Sequence, residues 1–169
     1  MTQRRAWLVA LAAGLAGCAT RETRSASDLS GRLALRAPAP GRSFSADFDL
    51  RGDARRGLLR LTGPLGAILG EARWQPGQAQ LETAEGVQRF DSLDALSLAL
   101  FGEPLPLAAM VEWLRGRPWA GAPSLARDGG FEQLDWSIDL SAFAADGVIV
   151  ATRAREPALS VRVRLERAG

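Results

Sequence analysis

Apolar and polar residues alternate along much of the chain, and this period-two pattern predicts β-strands that bury one face. Short turn-forming segments such as "RGDARRG", "QPGQ", "AEG" and "AADG" separate the alternating stretches and favour antiparallel neighbours. The pattern therefore predicts an antiparallel sheet of about seven to eleven strands. The alternating apolar residues are Leu33 and Leu35; Phe44, Ala46, Phe48 and Leu50; Leu59 and Leu61; Ile68, Ala72 and Trp74; Ala79 and Leu81; Leu134, Trp136, Ile138 and Leu140; Val148 and Val150; and Leu159, Val161, Val163 and Leu165.

One interval, from Asp91 to Arg115, has helical spacing instead and predicts two short helices. Asp91 or Ser92 is expected to cap the first helix, and Gly102 with Pro104 to end it. The apolar stripes of both helices are expected to cover the apolar face of the sheet. Periodicity alone favours a filled core over one with internal ligand space. The stripes consist of Leu93, Leu96, Leu100 and Phe101, and of Leu107, Met110, Val111 and Leu114.

The N-terminus has the pattern of a secretory signal, because Arg4 and Arg5 precede an uncharged run over 6–16. The run is shorter than the roughly 20 residues of a membrane-spanning helix. It ends in "LAGC", which resembles the bacterial lipobox, and Cys18 is the only cysteine of the chain. We therefore expect a signal peptide over 1–17, a lipidated tether over 18–30 and a folded domain over 31–169. By the same resemblance, Cys18 carries a covalent diacylglycerol and an N-acyl chain. The residue that follows Cys18 is not Asp, and this implies that the protein is located in the outer membrane.

The charge of the mature chain is balanced. The sequence has 21 basic and 19 acidic residues, and the predicted leader removes two arginines and no acid, which leaves 19 of each sign. A neutral chain gives no support for nucleic-acid binding.

Residue types that are absent exclude much chemistry. The chain has no His and no Lys, which excludes a Ser-His-Asp triad, a Walker A loop and an imidazole metal cluster. Two carboxylate pairs remain, Asp47 with Asp49 and Asp135 with Asp139, and each is expected to share the solvated face of a strand. We therefore expect no catalytic residue, no metal site and no enzymatic activity.

A leucine occupies a position where a turn is normally polar. Leu65 lies between Pro64 and Gly66 in "LTGPLGAILG", where Pro and Gly favour a tight reversal that holds the leucine outward. A leucine folded back on the rim of the sheet is the alternative.

Several segments together resemble the outer-membrane lipoprotein receptor family LolB. In chain order they are "LAGC", "GRLALR", "LLRLTGPLG", "LFGEPLPLAAMVEWLRGRP", "LDWSIDL" and "LSVRVRLE". The resemblance implies a mainly β (α+β) fold, in which one incomplete antiparallel β-barrel surrounds an apolar cavity under short helices that form a lid or plug. It also implies a monomeric, lipid-anchored receptor on the periplasmic face of the outer membrane. Such a receptor accepts acylated lipoproteins from the periplasmic carrier LolA and inserts them into the inner leaflet.

The resemblance also implies site residues. Pro64, Leu65 and Gly66 correspond to a projecting loop that touches the bilayer during insertion. Candidates for the acyl-chain cavity are Leu33, Phe48, Trp74, Met110, Trp113 and Trp136. The short tether departs from the family pattern and puts an N-terminal helix in doubt.

Two other functions remain open from the sequence. The half-barrel of a lipid-binding or scaffold lipoprotein of outer-membrane biogenesis has the same pattern. A carboxylate-only periplasmic hydrolase requires two carboxylates that converge in a pocket.

Overall fold

The computed structural model describes residues 29–37, 43–156 and 158–166, which form one antiparallel sheet and three short helices. Its eleven strands follow the order β6-β5-β4-β3-β2-β1-β11-β10-β9-β8-β7. The strands are β1 Leu29–Arg36, β2 Ser43–Gly52, β3 Gly57–Thr62, β4 Ile68–Gln75, β5 Gln78–Thr83, β6 Gly86–Phe90, β7 Ser124–Arg127, β8 Gly130–Gln133, β9 Trp136–Asp139, β10 Val148–Arg153 and β11 Leu159–Leu165. The helices are α1 Leu93–Phe101, α2 Leu107–Trp113 and α3 Phe143–Asp146.

The strands are staggered, as they are in the wall of a barrel. Thr62, the last residue of β3, pairs with Asp47 of β2, and the pairing continues across the sheet through Arg32 and Arg164. It ends at Val148, which is the first residue of β10. A stagger of this kind tilts strands around an axis and curves the sheet. In the described part of the chain β6 and β7 are sheet edges that do not pair with each other, so the barrel is incomplete, as predicted.

The two predicted helices lie over the buried face of the sheet, as expected. In β2 the side chains of Ala46, Phe48 and Leu50 are buried, whereas Asp47 and Asp49 between them are exposed. The buried residues of α1 and α2 belong to the same apolar core as this strand face. None of the helices in the described ranges is long and apolar enough to span a bilayer.

The ends of α1 follow the sequence signals. The Ser92 side chain accepts a hydrogen bond from the Ala95 N–H at 3.1 Å, so Ser92 is the cap and Asp91 is not. Gly102 adopts the left-handed conformation and its N–H donates to the Leu98 carbonyl at 2.9 Å.

The prediction of one strand over Leu134 to Leu140 was wrong. Leu134 and Asp135 have φ values of 52° and 63° and form the two-residue turn between β8 and β9. Gln133 and Trp136 pair across this turn and both are buried, so the alternation changes phase here. Asp135 and Asp139 consequently do not share a strand face, and Leu134 is exposed rather than buried.

Four elements have no counterpart in the sequence prediction, namely β6, β7, β8 and α3. The side chains of β7 are all exposed and those of β6 nearly so, which leaves no alternation to detect. The first strand begins at Leu29, two residues before the expected start of the domain.

Candidate functional site

An apolar cavity lies between the curved sheet and α2. Its volume is about 60 Å³ and all fourteen side chains that line it are apolar. The strands contribute residues such as Leu59 and Val161, and the helical segment contributes residues such as Phe101, Leu105 and Leu114. A cavity with this lining favours hydrocarbon and offers no polar group to orient a polar ligand.

The cavity is small in this state of the protein. A volume of 60 Å³ is far below the roughly 300–1,000 Å³ of a typical ligand pocket. An acyl chain therefore requires the helices to move away from the sheet.

The structure places four of the six candidate residues on the cavity wall: Leu33, Phe48, Trp74 and Met110. The Trp74 Nε1–H donates to the Asp53 carbonyl at 2.9 Å, so its polar atom is satisfied while its ring contributes to the wall. The helical spacing indicated that α2 covers the apolar face of the sheet. Leu59 and Val161 were not among the cavity residues expected from the sequence.

The structure places the other two candidates, Trp113 and Trp136, outside the cavity lining. Their ring centroids lie 6.0 Å apart in a packed cluster, and the Arg153 guanidinium lies 5.4 Å from the centroid of the Trp136 ring. The Trp113 Nε1–H donates to Gln133 Oε1 at 2.8 Å. Alternation places Trp136 on the inner face and Trp113 is buried at the end of α2, but both side chains pack beside the cavity and do not line it.

Gln133 connects α2 to the sheet and to the segment that follows the helix. Besides the bond from Trp113, its Oε1 accepts from the Trp119 N–H at 2.9 Å. Its Nε2 donates to the carbonyls of Trp119 and Ala122 at 2.7 and 2.8 Å. The amide of a residue only 3% exposed is thus fully satisfied.

The two ends of α2 are held differently. After its C-terminal end, Arg115 donates to the carbonyls of Val111 and Gly52 at 2.7 and 2.5 Å. At the N-terminal end, Pro106 provides no side-chain cap, buried Leu105 and Leu107 make apolar contacts, and the Leu105 N–H donates to the Ser97 side chain of α1 at 2.8 Å. Polar bonds thus join the C-terminal end to the sheet and the N-terminal end to α1, which favours the C-terminal end as the pivot of any opening movement.

The Gly63–Gly66 turn projects Leu65 into solvent. The Gly66 N–H donates to the Gly63 carbonyl at 2.9 Å, and the Gly63 N–H donates to the Ala67 carbonyl at 2.8 Å. Gly66 has a φ of 80°, so the loop resembles a type I turn followed by a left-handed glycine. The side chain of Leu65 is 99% exposed, which confirms the predicted outward position over a leucine folded back on the rim.

The candidate carboxylates do not converge in the cavity. Asp47, Asp49, Asp135 and Asp139 are all exposed, and a hydrogen bond from the Ser141 N–H lowers the pKa of Asp139. The described residues contain no group of three or more His, Cys, Asp or Glu that would hold a metal ion.

The buried carboxylate of Glu71 has a structural role. Burial raises the pKa of Glu71, but hydrogen bonds from Arg60 and Arg73 outweigh it and hold that pKa below its usual value. Arg60 and Arg73 lie on the exposed face of neighbouring strands, so the cluster is a cross-strand ion pair.

Comparison with known proteins identifies the family of this half-barrel. Residues 25–167 match the family model "Outer membrane lipoprotein LolB". The chain belongs to the LolB family. A LolB from Bordetella petrii is 34% identical over 95% of this chain and 90% of its own length. One from Chromobacterium violaceum is 35% identical over 80% and 81%, and one from Halorhodospira halophila 31% identical over 83% and 73%.

The match to LolB spans all eleven strands and three helices described above. Cys18 lies outside the described residues and outside the matched range, so lipidation at Cys18 remains a prediction.

Proposed function

We propose that this LolB-family chain is an outer-membrane lipoprotein receptor that accepts acylated lipoproteins from the carrier LolA and inserts them into the inner leaflet. The observation that carries the proposal is the cavity with an entirely apolar lining beneath α2. The relatives named above as outer-membrane lipoproteins support the location. In this account the protein is a transport receptor rather than an enzyme.

Acyl chains explain why such a receptor needs an apolar cavity. Each CH₂ group left in water costs about 0.8 kcal/mol, so release of an acylated lipoprotein into the periplasm costs tens of kcal/mol. The cargo must pass from one apolar site to the next, with affinity for the chains rising from carrier to receptor to bilayer.

Uptake begins with movement of the α1–α2 segment. The cavity is too small for an acyl chain, and polar bonds join the C-terminal end of α2 to the sheet, while the Leu105 N–H just before the helix is bonded to Ser97 of α1. Entry of the chain therefore separates the N-terminal end of α2 from the sheet. The apolar surface exposed by this movement is covered again by the cargo.

Delivery uses the loop of Pro64, Leu65 and Gly66. Burial of one leucine in lipid contributes about 1.5–3 kcal/mol, which is too little to anchor a protein but enough to orient it. The acyl groups on Cys18 supply the anchor and keep the receptor at the periplasmic face of the outer membrane.

The uptake step is tested with the Cys18→Ala protein mixed with a purified complex of LolA and an acylated lipoprotein. Gel filtration then measures which protein carries the cargo. We expect the cargo to co-elute with the Cys18→Ala protein, because the cavity and not the anchor binds acyl chains. Cargo that remains on LolA would contradict the proposal. A matched cargo without acyl groups serves as control and is expected to bind neither protein.

A further inference from the structure

Exposed large hydrophobic side chains are concentrated at one end of the sheet. In an antiparallel sheet successive connections alternate between two ends, and the β1–β2, β3–β4, β5–β6, β8–β9 and β10–β11 connections share one of them. We call it the apolar end. Of the seven exposed large hydrophobic side chains in the described residues, five lie in its turns or within two residues of them: Leu65, Ile68, Leu69, Val87 and Leu134. Leu125 of β7 pairs with Glu132, two residues before the β8–β9 turn, and Leu98 lies elsewhere, on α1.

The opposite end has a different character. Its connections include the charged turn around Asp53 and Arg56, the turn at Pro76 and Gly77, and the turn at Asp128. Within the described ranges no large hydrophobic side chain is exposed there. The two ends therefore face different surroundings.

Leu134 is the residue at the apolar end whose position is least expected. Both residues of the β8–β9 turn have positive φ, a conformation that favours Asn and Gly and is rare for leucine. The turn holds the Leu134 side chain 42% exposed although an Asn there would be less strained. Burial in the core does not explain a strained leucine with so much exposed surface, which points to a contact outside the folded chain.

The charges next to Leu134 are compensated. The Asp135 carboxylate would repel an anionic surface, but Arg155 Nη1 lies 3.0 Å from it. Arg153 packs its guanidinium over the Trp136 ring directly behind the turn. The turn thus presents a leucine among paired charges.

The arrangement fits a lipid surface better than a partner protein. Leu65 and Leu134 lie on hairpins separated in the sheet by β2, β1, β11 and β10. A stable protein interface needs a contiguous area of about 800 Å² on each partner. A bilayer accepts isolated apolar side chains at any point of its surface, so separate leucines at one end suit it.

We infer that the apolar end of the half-barrel docks on a phospholipid bilayer through two separate contacts, the Leu65 loop and the β8–β9 turn with Leu134. The inference rests on the proposed function and adds a second contact to its delivery step. Two contacts fix the tilt of the half-barrel, whereas one would leave it free to rotate about Leu65.

Contact is measured with an environment-sensitive fluorophore on single cysteines. Leu134→Cys, Leu65→Cys and Asp49→Cys are each made in the mature Cys18→Ala chain, which then has no other cysteine. A hexahistidine tag at the N-terminus tethers each protein to phosphatidylethanolamine/phosphatidylglycerol vesicles that contain a nickel-chelating lipid and brominated phospholipid. We expect quenching by the brominated lipid at 134 and 65 and none at 49.

The outcomes separate this inference from the proposed function. Quenching at 65 without quenching at 134 would overturn the second contact and leave the proposed delivery loop intact. Quenching at neither position would contradict both. If the fluorophore at 134 is shielded from water only when LolA is added, the β8–β9 turn contacts a protein and the proposed lipid contact is overturned.

A matched pair of substitutions tests the role in transfer. Leu134→Asn is expected to lower delivery of cargo to vesicles about tenfold, because one leucine contact with lipid is lost. Its urea midpoint should be unchanged or higher, because Asn fits the turn better. Leu134→Met should retain delivery. Unchanged delivery by Leu134→Asn would contradict the inference.

Discussion

Leu65 has the environment that leucine side chains avoid, and the chain maintains it with local turn chemistry. Two glycines and a proline fix the turn, and its backbone hydrogen bonds close within five residues. Because the signal is local, the sequence predicts the outward position without knowledge of the rest of the fold.

Leu65→Glu is expected to preserve folding and uptake from LolA but lower delivery to membranes tenfold or more. The change removes a contact worth about 1.5–3 kcal/mol and brings a charge to the bilayer. Delivery is measured as lipoprotein recovered with vesicles after flotation.

The matched control is Leu98→Glu, which replaces a leucine that is 52% exposed on α1 instead. The control should deliver normally. Normal delivery by Leu65→Glu would remove the loop from the mechanism.

The sequence predicts which face a residue occupies better than what the residue contacts. Leu33 and Phe48 face inward and line the cavity, whereas Trp113 and Trp136 face inward and pack against each other. The difference depends on Gln133, whose partners are as far as 20 residues away in the chain. The Leu134 turn was missed because neither of its residues is Gly or Asn.

At the scale of elements, α2 is a short helix whose C-terminal end is bonded to the sheet. Trp113 and Arg115 provide polar bonds to Gln133 and to the Gly52 carbonyl, and the N-terminal half lies on the cavity. Helical spacing predicted the element and its buried stripe. It did not predict the pivot, because the hydrogen bonds join the helix to distant strands.

Gln133→Leu is expected to destabilise the protein by about 3 kcal/mol or more. It leaves the buried Trp113 Nε1–H unpaired, which costs about 1–3 kcal/mol, and it also removes the part-buried bonds to the backbone of Trp119 and Ala122. Urea unfolding followed by tryptophan fluorescence measures the loss. A loss below 1 kcal/mol would show that α2 is not fixed through this residue.

At the scale of the whole molecule, the tether and the delivery loop begin at opposite ends of the sheet. Leu29 starts β1 at the end opposite to Leu65, but the stagger of the sheet shortens their separation. Leu29 pairs with Leu50 and Leu50 with Leu59, which lies three residues before the end of β3 at Thr62. Three residues of strand span about 10 Å, whereas the chain from Cys18 to Leu29 reaches at most about 36–40 Å. An anchor on Cys18 therefore leaves Leu65 free to reach the same membrane.

The overall architecture was accessible from the sequence because alternation and helical spacing are repeated along the chain. The open edges β6 and β7 were not, since their side chains are almost all exposed and carry no pattern. The size of the cavity also depends on how side chains from five strands and from the segment of α1 and α2 meet, which no local pattern records.

The central claim is that the acyl chains of the cargo enter the cavity between the sheet and α2. The most direct measurement uses a lipoprotein with brominated acyl chains, transferred from LolA, and follows the tryptophan fluorescence of the receptor. Trp74 lines the cavity, so the account predicts strong quenching that Trp74→Phe largely abolishes. Bound cargo that leaves Trp74 unquenched would contradict the account.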